Sequence, residues 1–261
     1  QRLWLHRRLV PVYLLAALAW APPLSSGPDG ALARFLTADI VPAPLRAGSE
    51  VQFLPWLQDL LVNAALPGLW QTLIVGIAAL LLTGVLALVL FPLASPHFGR
   101  RPGRVLAHVG LVVVRTLPEF LLAFVLLIAL GPSMLPGILA LALHTGVIVA
   151  YLTGRFSENL KPGRDIPGAI NRYGYEILPR IYPNFLAFLL YRFEIIMRET
   201  AVLGILGITT LGFYIDSAFA TFRFDEALVL IIMTVVLNLA VDGFSRLLRQ
   251  RLRLRSPATA Y

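Results

Sequence analysis

Apolar residues run along this chain in blocks too long for strands and too uniform for soluble amphipathic helices. Six blocks can be drawn, over residues 8–24, 67–94, 105–131, 136–155, 181–206 and 225–246. Each approaches the roughly 20 residues that a helix needs to cross about 30 Å of hydrocarbon, the first being short. The pattern predicts an all-α, polytopic membrane bundle of about six transmembrane helices. The polar residues between the blocks sort by charge. Arg2, Arg7 and Arg8 precede the first block, and His97, Arg100, Arg101 and Arg104 follow the second. Arg155, Lys161, Arg164, Arg172 and Arg180 separate the fourth from the fifth, and Arg246, Arg249, Arg251, Arg253 and Arg255 close the chain. The alternate connections are poor in cations: 25–66 sets Asp29, Asp39, Glu50 and Asp59 against Arg34 and Arg46, and 131–136 has no charge. The positive-inside rule then puts both termini on the cytoplasmic side.

Two stretches do not fit simple spans. The second half of 25–66, with Phe53-Leu54-Pro55-Trp56-Leu57, is too apolar for a free loop and is expected along the outer interface, with Trp56 and Trp70 in the aromatic belt. The segment after Gly204, with Gly207, Gly212 and Thr221-Phe222-Arg223, reads as a broken or re-entrant region before the last span. Such backbone persists at membrane depth only when covered by protein or lining a cavity. The organisation predicted is a first helix with an extracytoplasmic or interfacial segment (1–66), a core domain (67–249) containing a cytoplasmic loop at 156–180, and a basic tail (250–261).

Composition agrees. The 261 residues are 58% hydrophobic and 14% charged, outside the range of soluble domains. There is no cysteine, hence no disulfide or thiolate chemistry, and the net charge of +8 is almost all arginine, Lys161 being the one lysine. The placement of these cations argues for membrane orientation rather than nucleic-acid binding.

Against this background four charges stand out in Tyr191-Arg192-Phe193-Glu194-Ile195-Ile196-Met197-Arg198-Glu199. At roughly 2.5–3.5 kcal/mol for a charge at a helix centre, they would cost on the order of 10 kcal/mol in lipid. The segment must lie inside a bundle, beside a polar path or partly at the interface. Glu194 and Arg198 are spaced i,i+4 and can pair, leaving Arg192 and Glu199 without an obvious local partner. Arg115 and Glu119 share the same spacing, with Pro118 between them to kink or break the helix. Either set can be a self-neutralising structural network or can line a solute path. The glycine- and proline-punctuated stretch from Ser157 to Pro183 is either an ordinary loop or a short helix offered to a cytosolic partner. His108 and His144 stand alone in apolar spans, no metal site is assigned, and no HExxH, GxSxG or P-loop pattern occurs. No catalytic residue follows from the sequence.

In this order, several segments resemble the permease subunits of phosphonate-type, binding-protein-dependent ABC importers, over about Trp70 to Arg249. They are Trp70-Gln71-Thr72-Leu73, Arg115-Thr116-Leu117-Pro118-Glu119, Leu141-Ala142-Leu143-His144-Thr145-Gly146, Leu178-Pro179-Arg180-Ile181-Tyr182-Pro183-Asn184-Phe185, Leu190-Tyr191-Arg192-Phe193-Glu194-Ile195, Val202-Leu203-Gly204, Gly212-Phe213-Tyr214 and Asp242-Gly243-Phe244-Ser245-Arg246. The resemblance implies a type I importer fold in a bacterial cytoplasmic membrane, paired with a second permease, the same or homologous. It also implies a cytosolic ATPase dimer, which would hold the ATP and magnesium, and an extracytoplasmic phosphonate- or phosphate-binding protein. This chain itself would bind no cofactor and would not be an enzyme. The implied solute is a phosphonate, phosphate or phosphite. Glu158, Gly168, Gly174, Leu178 and Pro179 would couple to the ATPase, and Arg115, Glu119, Arg192, Glu194, Arg198, Glu199 and Leu203 would form the path or gate. The family's coupling pattern, counted back from Pro179, expects Gly at 166 and Glu at 160, where this chain has Ile166 and Leu160. That departure keeps open a non-translocating scaffold subunit within a heterodimer, or an importer for another small solute.

Overall fold

The computed structural model describes residues 52–95, 97–98, 101–160 and 168–252, together with Pro42 and Pro44. The expected first span, most of 25–51, the loop residues 161–167 and the tail beyond Leu252 lie outside the described residues. Among the described residues the regular structure is helical. α1 (Phe53–Leu60) passes through a π-helical turn at Leu61–Ala65 into α2 (Leu66–Ala94), followed by α3 (Arg101–Thr116), α4 (Glu119–Leu130) and α5 (Leu135–Ser157). A short α6 (Ala169–Asn171) and a second π turn (Arg172–Ile177) lead into α7 (Leu178–Leu203); α8 (Leu211–Ala220) and α9 (Phe224–Arg251) complete the fold.

By length and composition, 53–94, 135–157 and 224–251 can each cross a membrane, and the described residues supply up to five spans if each bent pair counts as one. These match the second to sixth apolar blocks. Residues 53–66, expected along the outer interface, are helical and run on into α2 as one 42-residue helical run. One expectation is corrected: 105–131 is not a single straight span, since α3 and α4 meet at 92°. Pro118 ends the helix there by removing a donor and taking extended backbone (ψ 135°).

Both π turns stand immediately before a Leu-Pro pair, Leu66-Pro67 and Leu178-Pro179. In each the leucine N–H reaches back five residues, to the carbonyls of Leu61 and Tyr173. Shifting the ladder by one residue lets the following proline enter without breaking the helix.

The core is built on α2 against α5. Buried Ala142, Gly146, Ala150 and Gly154 recur every fourth residue on α5, and Ala79, Thr83, Ala87, Phe91 and Ala94 face them from α2. A Cβ added at Gly154 would stand 2.6 Å from that of Ala94, and one at Gly146 would stand 3.1 Å from that of Leu86. Lipid tails offer no hydrophobic drive for helix association, so such close backbone approach supplies the attraction instead. One end of the pair is clasped by Ser95 Oγ and Ser157 Oγ at 2.9 Å and by the His97 ring on the Ser157 carbonyl at 2.8 Å. α7 lies across both helices, with Met197 filling the notch at Gly76.

After Leu203 the chain breaks through a 3-10 turn, as the glycines at 204, 207 and 212 suggested, and α8 continues at a bend of 42° to α7, packed on it and on α2. Gly204 and Gly212 touch backbone to backbone there: a Cβ on Gly212 would collide with the Ala201 carbonyl. The freed polar groups are satisfied internally. The Thr72 hydroxyl accepts from the Leu211 N–H at 2.9 Å, and Thr210 donates to the Thr200 carbonyl at 3.3 Å.

Gly212→Ala is therefore expected to destabilise the protein beyond the ~1–3 kcal/mol usual for overpacking. Thr72→Val, which leaves the Leu211 N–H buried and unpaired, should cost about 1–3 kcal/mol. Thermal unfolding in detergent checks both, with Gly243→Ala as the control, since a Cβ at Gly243 meets nothing within 4 Å.

Candidate functional site

The charged residues predicted from sequence divide into three sets in space. The first is a cluster across three helices. Glu119 is the first residue of α4, where the helix dipole favours a carboxylate. Its Oε2 lies 3.7 Å from Nε2 of His144 on α5, too long for a hydrogen bond but within ion-pair range if the ring is protonated. The imidazole also lies against the Leu117 carbonyl. Arg192 and Glu199, seven residues apart, fall on one face of α7 two turns from each other. The charge acting most strongly on Arg192 is that of Glu199, with Glu119 also in reach. Glu199 in turn feels Glu119, Arg192 and Arg198. Glu199 Oε2 is buried without a hydrogen-bond partner among the described residues. Arg192 and Glu199, without an adjacent partner along the helix, thus stand within electrostatic range of each other and of Glu119, with no direct ion pair between them.

The second set is the surface ion pair of Glu194 and Arg198, at 2.7 Å. The Arg198 side chain is 65% exposed, and the neighbouring surface residues Tyr191 and Val202 lie on the same side of α7. The third set corrects an expectation. Arg115 and Glu119 do not pair, because the break at Leu117-Pro118 destroys their common helix face. Arg115 instead places its guanidinium 4.7 Å from the centroid of the Tyr151 ring, and His108 packs against the same ring at 5.4 Å. Leu203 is buried with Val75, Ala140 and Ile208.

The expected coupling residues gather at the end of the bundle where α2 and α5 are clasped. Glu158 caps α5, exposed and 3.3 Å from Arg155. Gly168 (φ +89°) opens α6, Gly174 stands in the π turn with nothing within 4 Å of its Cβ position, and Leu178-Pro179 start α7. Tyr173 anchors this segment: its hydroxyl donates to the Leu88 carbonyl at 3.0 Å, and its ring stacks on Phe91 at 5.3 Å. Ile170 and Tyr175 project outward, 85% and 84% exposed. Beside them is an apolar cavity of about 240 Å³ lined by Pro92, Phe98, Ala169, Ile170 and Tyr173. Sequence reasoning passed over His144, Tyr151, Ile170 and Tyr175. Their signal was a polar or aromatic group at the wrong place for a lipid-facing helix or a solvated loop.

Several known proteins are similar to this chain in sequence or fold. Residues 168–254 match the family described as binding-protein-dependent transport system inner membrane component. Over 189 residues the chain is 29% identical to the phosphate-import permease protein PhnE of Mycolicibacterium smegmatis, covering 70% of this chain and 36% of that protein. It is 26% identical over 195 residues to the phosphite transport system permease protein PtxC of Stutzerimonas stutzeri, covering 70% and 69% respectively. The chain thus spans about a third of the first relative's length and just over two thirds of the second's. Its fold matches the crystal structure of an amino acid ABC transporter with histidines at a TM-score of 0.61 and 22% identity, over 77% of this chain and 99% of that one. The resemblance read from the sequence motifs is borne out, and the chain folds as an integral membrane helical bundle of the ABC permease type.

Arg115→Ala should lower stability by about 0.5–2 kcal/mol through loss of the cation–π contact. A double-mutant cycle with Tyr151→Leu isolates it: the two losses should be less than additive.

Proposed function

We propose that this chain is the permease subunit of an ATP-driven importer that carries a small phosphorus oxyanion (phosphate, phosphite or a phosphonate) across a bacterial cytoplasmic membrane by alternating access. The observation that carries the reading is the construction of α7. One 26-residue helix has the anchored segment with exposed Ile170 and Tyr175 at its start and Arg192 and Glu199 about 21 and 32 Å further along. Force applied to the segment at one end reaches the charged cluster at the other through a single rigid element. The relatives' names supply the solute class, and Arg192 supplies a cation suited to an oxyanion.

The surfaces support the partners proposed. The segment 168–180, with Ile170 and Tyr175, is the docking surface for a cytosolic ATPase that holds the ATP and magnesium, and this chain performs no hydrolysis itself. Tyr191, Glu194 and Arg198 would be costly against acyl chains, so that face of α7 meets a second permease subunit or the solute path. An extracytoplasmic binding protein delivers the solute from the opposite side, and both termini are cytoplasmic.

The test is reconstitution of the full chain with its ATPase and binding protein in liposomes, with phosphate, phosphite and methylphosphonate as solutes. Arg192→Ala is expected to lower uptake about tenfold or more, equivalent to ~1.4 kcal/mol, with assembly intact. Ile170→Asp should weaken ATPase association by about 2 kcal/mol or more, as for a central apolar contact. Assembly with the ATPase but no uptake of any solute by the wild-type complex would instead identify a scaffold subunit.

A further inference from the structure

The charges around Glu199 do not balance. Within the cluster two carboxylates, Glu119 and Glu199, lie in electrostatic range of one uncommitted guanidinium, Arg192, which pairs directly with neither, while Arg198 is already held by Glu194 at 2.7 Å. The remaining facing groups do not supply a second cation. On α7 itself there is Tyr191, and α5 offers His144, whose partner is Glu119. Arg115 and His108 of α3 are engaged by Tyr151. α2, packed on both α5 and α7, has no ionisable side chain. α8 carries Tyr214 and Asp216; α9 carries Asp225, with Glu226 and Asp242 held by Arg223 and Arg246. No third carboxylate or histidine converges closely enough for a metal ion among the described residues. The two carboxylates differ in their surroundings. Glu119 is 31% exposed and sits at a helix N-terminus facing His144, whereas one oxygen of Glu199 is sealed from solvent with no hydrogen-bond partner. A buried charge without a full complement of partners is costly, and two carboxylates sharing one site oppose each other's ionisation.

We infer that the Glu119–His144–Arg192–Glu199 cluster is a proton-binding site, in which one proton taken from water resides on the Glu199 carboxyl while Arg192 is balanced by Glu119. With that proton bound the cluster is neutral. Release of the proton leaves it one negative charge in excess and binds Arg192 more tightly to its own carboxylates. On the transport reading given above, the protonated form is therefore the one in which Arg192 is open to a solute oxyanion; proton binding itself does not depend on that reading.

Infrared spectra of the purified full chain in liposomes, titrated from neutral to alkaline pH in H₂O and D₂O, test the assignment without any transport measurement. The expected result is a protonated-carboxyl stretch at neutral pH that shifts in D₂O, disappears as the pH rises, and is lost in Glu199→Gln but kept in Glu194→Gln. Absence of such a band in the wild type overturns the proposal, as does its persistence in Glu199→Gln. The wild-type spectrum alone decides whether the proton is there, so a Glu199→Gln variant that fails to fold does not spoil the test. Glu199→Asp, which keeps the acid, is then expected to retain the band at a shifted frequency; a band unchanged in position there would assign the proton elsewhere and overturn the proposal.

Discussion

α2 and α5 approach closely enough for backbone to meet backbone, and the position of nearly every other element follows from that contact. The facing columns of glycine, alanine and threonine remove the side-chain bulk that would hold the two axes apart. In hydrocarbon, where burying a leucine gains little over leaving it in lipid, dispersion along such a seam is a principal source of attraction between helices. The pair forms a platform. α7 crosses it with Met197 in the notch left by Gly76, and Tyr173 fixes the start of that crossing through the Leu88 carbonyl. The hydroxyl and imidazole clasp at Ser95, Ser157 and His97 holds the same end from below.

A platform of this kind leaves the irregular parts of the chain with one requirement: any backbone group released from a helix must find a partner inside the protein. The structure meets it in two ways. Before Leu66-Pro67 and Leu178-Pro179 the helix widens by one residue and continues. After Leu203, where it stops, the hydroxyls of Thr72 on α2 and of Thr210, just before α8, supply the missing partners. The widened turn at Arg172–Ile177 separates the exposed segment bearing Ile170 from the long helix behind it, and the threonine-sealed break lies beyond the charged cluster at the other end. The length of α7 between them is bounded by these two places, and Pro183 removes one further backbone donor near its start.

The charges are arranged to the same logic. Those on exposed faces are neutralised within their own helix, as with Glu194 and Arg198 or Asp242 and Arg246. Those turned inward draw on other helices, so that α4, α5 and α7 each contribute to one electrostatic unit. A shift of α7 relative to the platform must rearrange that unit. The exposed segment bearing Ile170 and the interior charges are carried on one continuous helical run, although they stand tens of ångströms apart.

By itself the sequence determined the helical membrane class, the approximate limits of five of the spans, the break after Gly204 and the identity of nearly all the interior charges. Apolar length and charge asymmetry are properties of a single helix in a slab of hydrocarbon, and a single helix is what a sequence pattern describes. The column Ala142, Gly146, Ala150 and Gly154 is present in the sequence as a small residue at every fourth position, but its burial emerged only from the structure. Its partner on α2 was not legible, because which helix fills a groove depends on the path of the chain between them. The tertiary structure alone decided the ionic partnerships. The break at Pro118 parted Arg115 from Glu119 and sent one to an aromatic ring on α5 and the other to an imidazole there. His144, unremarkable as a lone histidine in an apolar span, became part of a charged cluster only when α4 folded across α5. The i,i+4 spacing predicts a contact only while the helix continues; once a proline turns the backbone by 92°, proximity is set by packing between helices rather than by position along one.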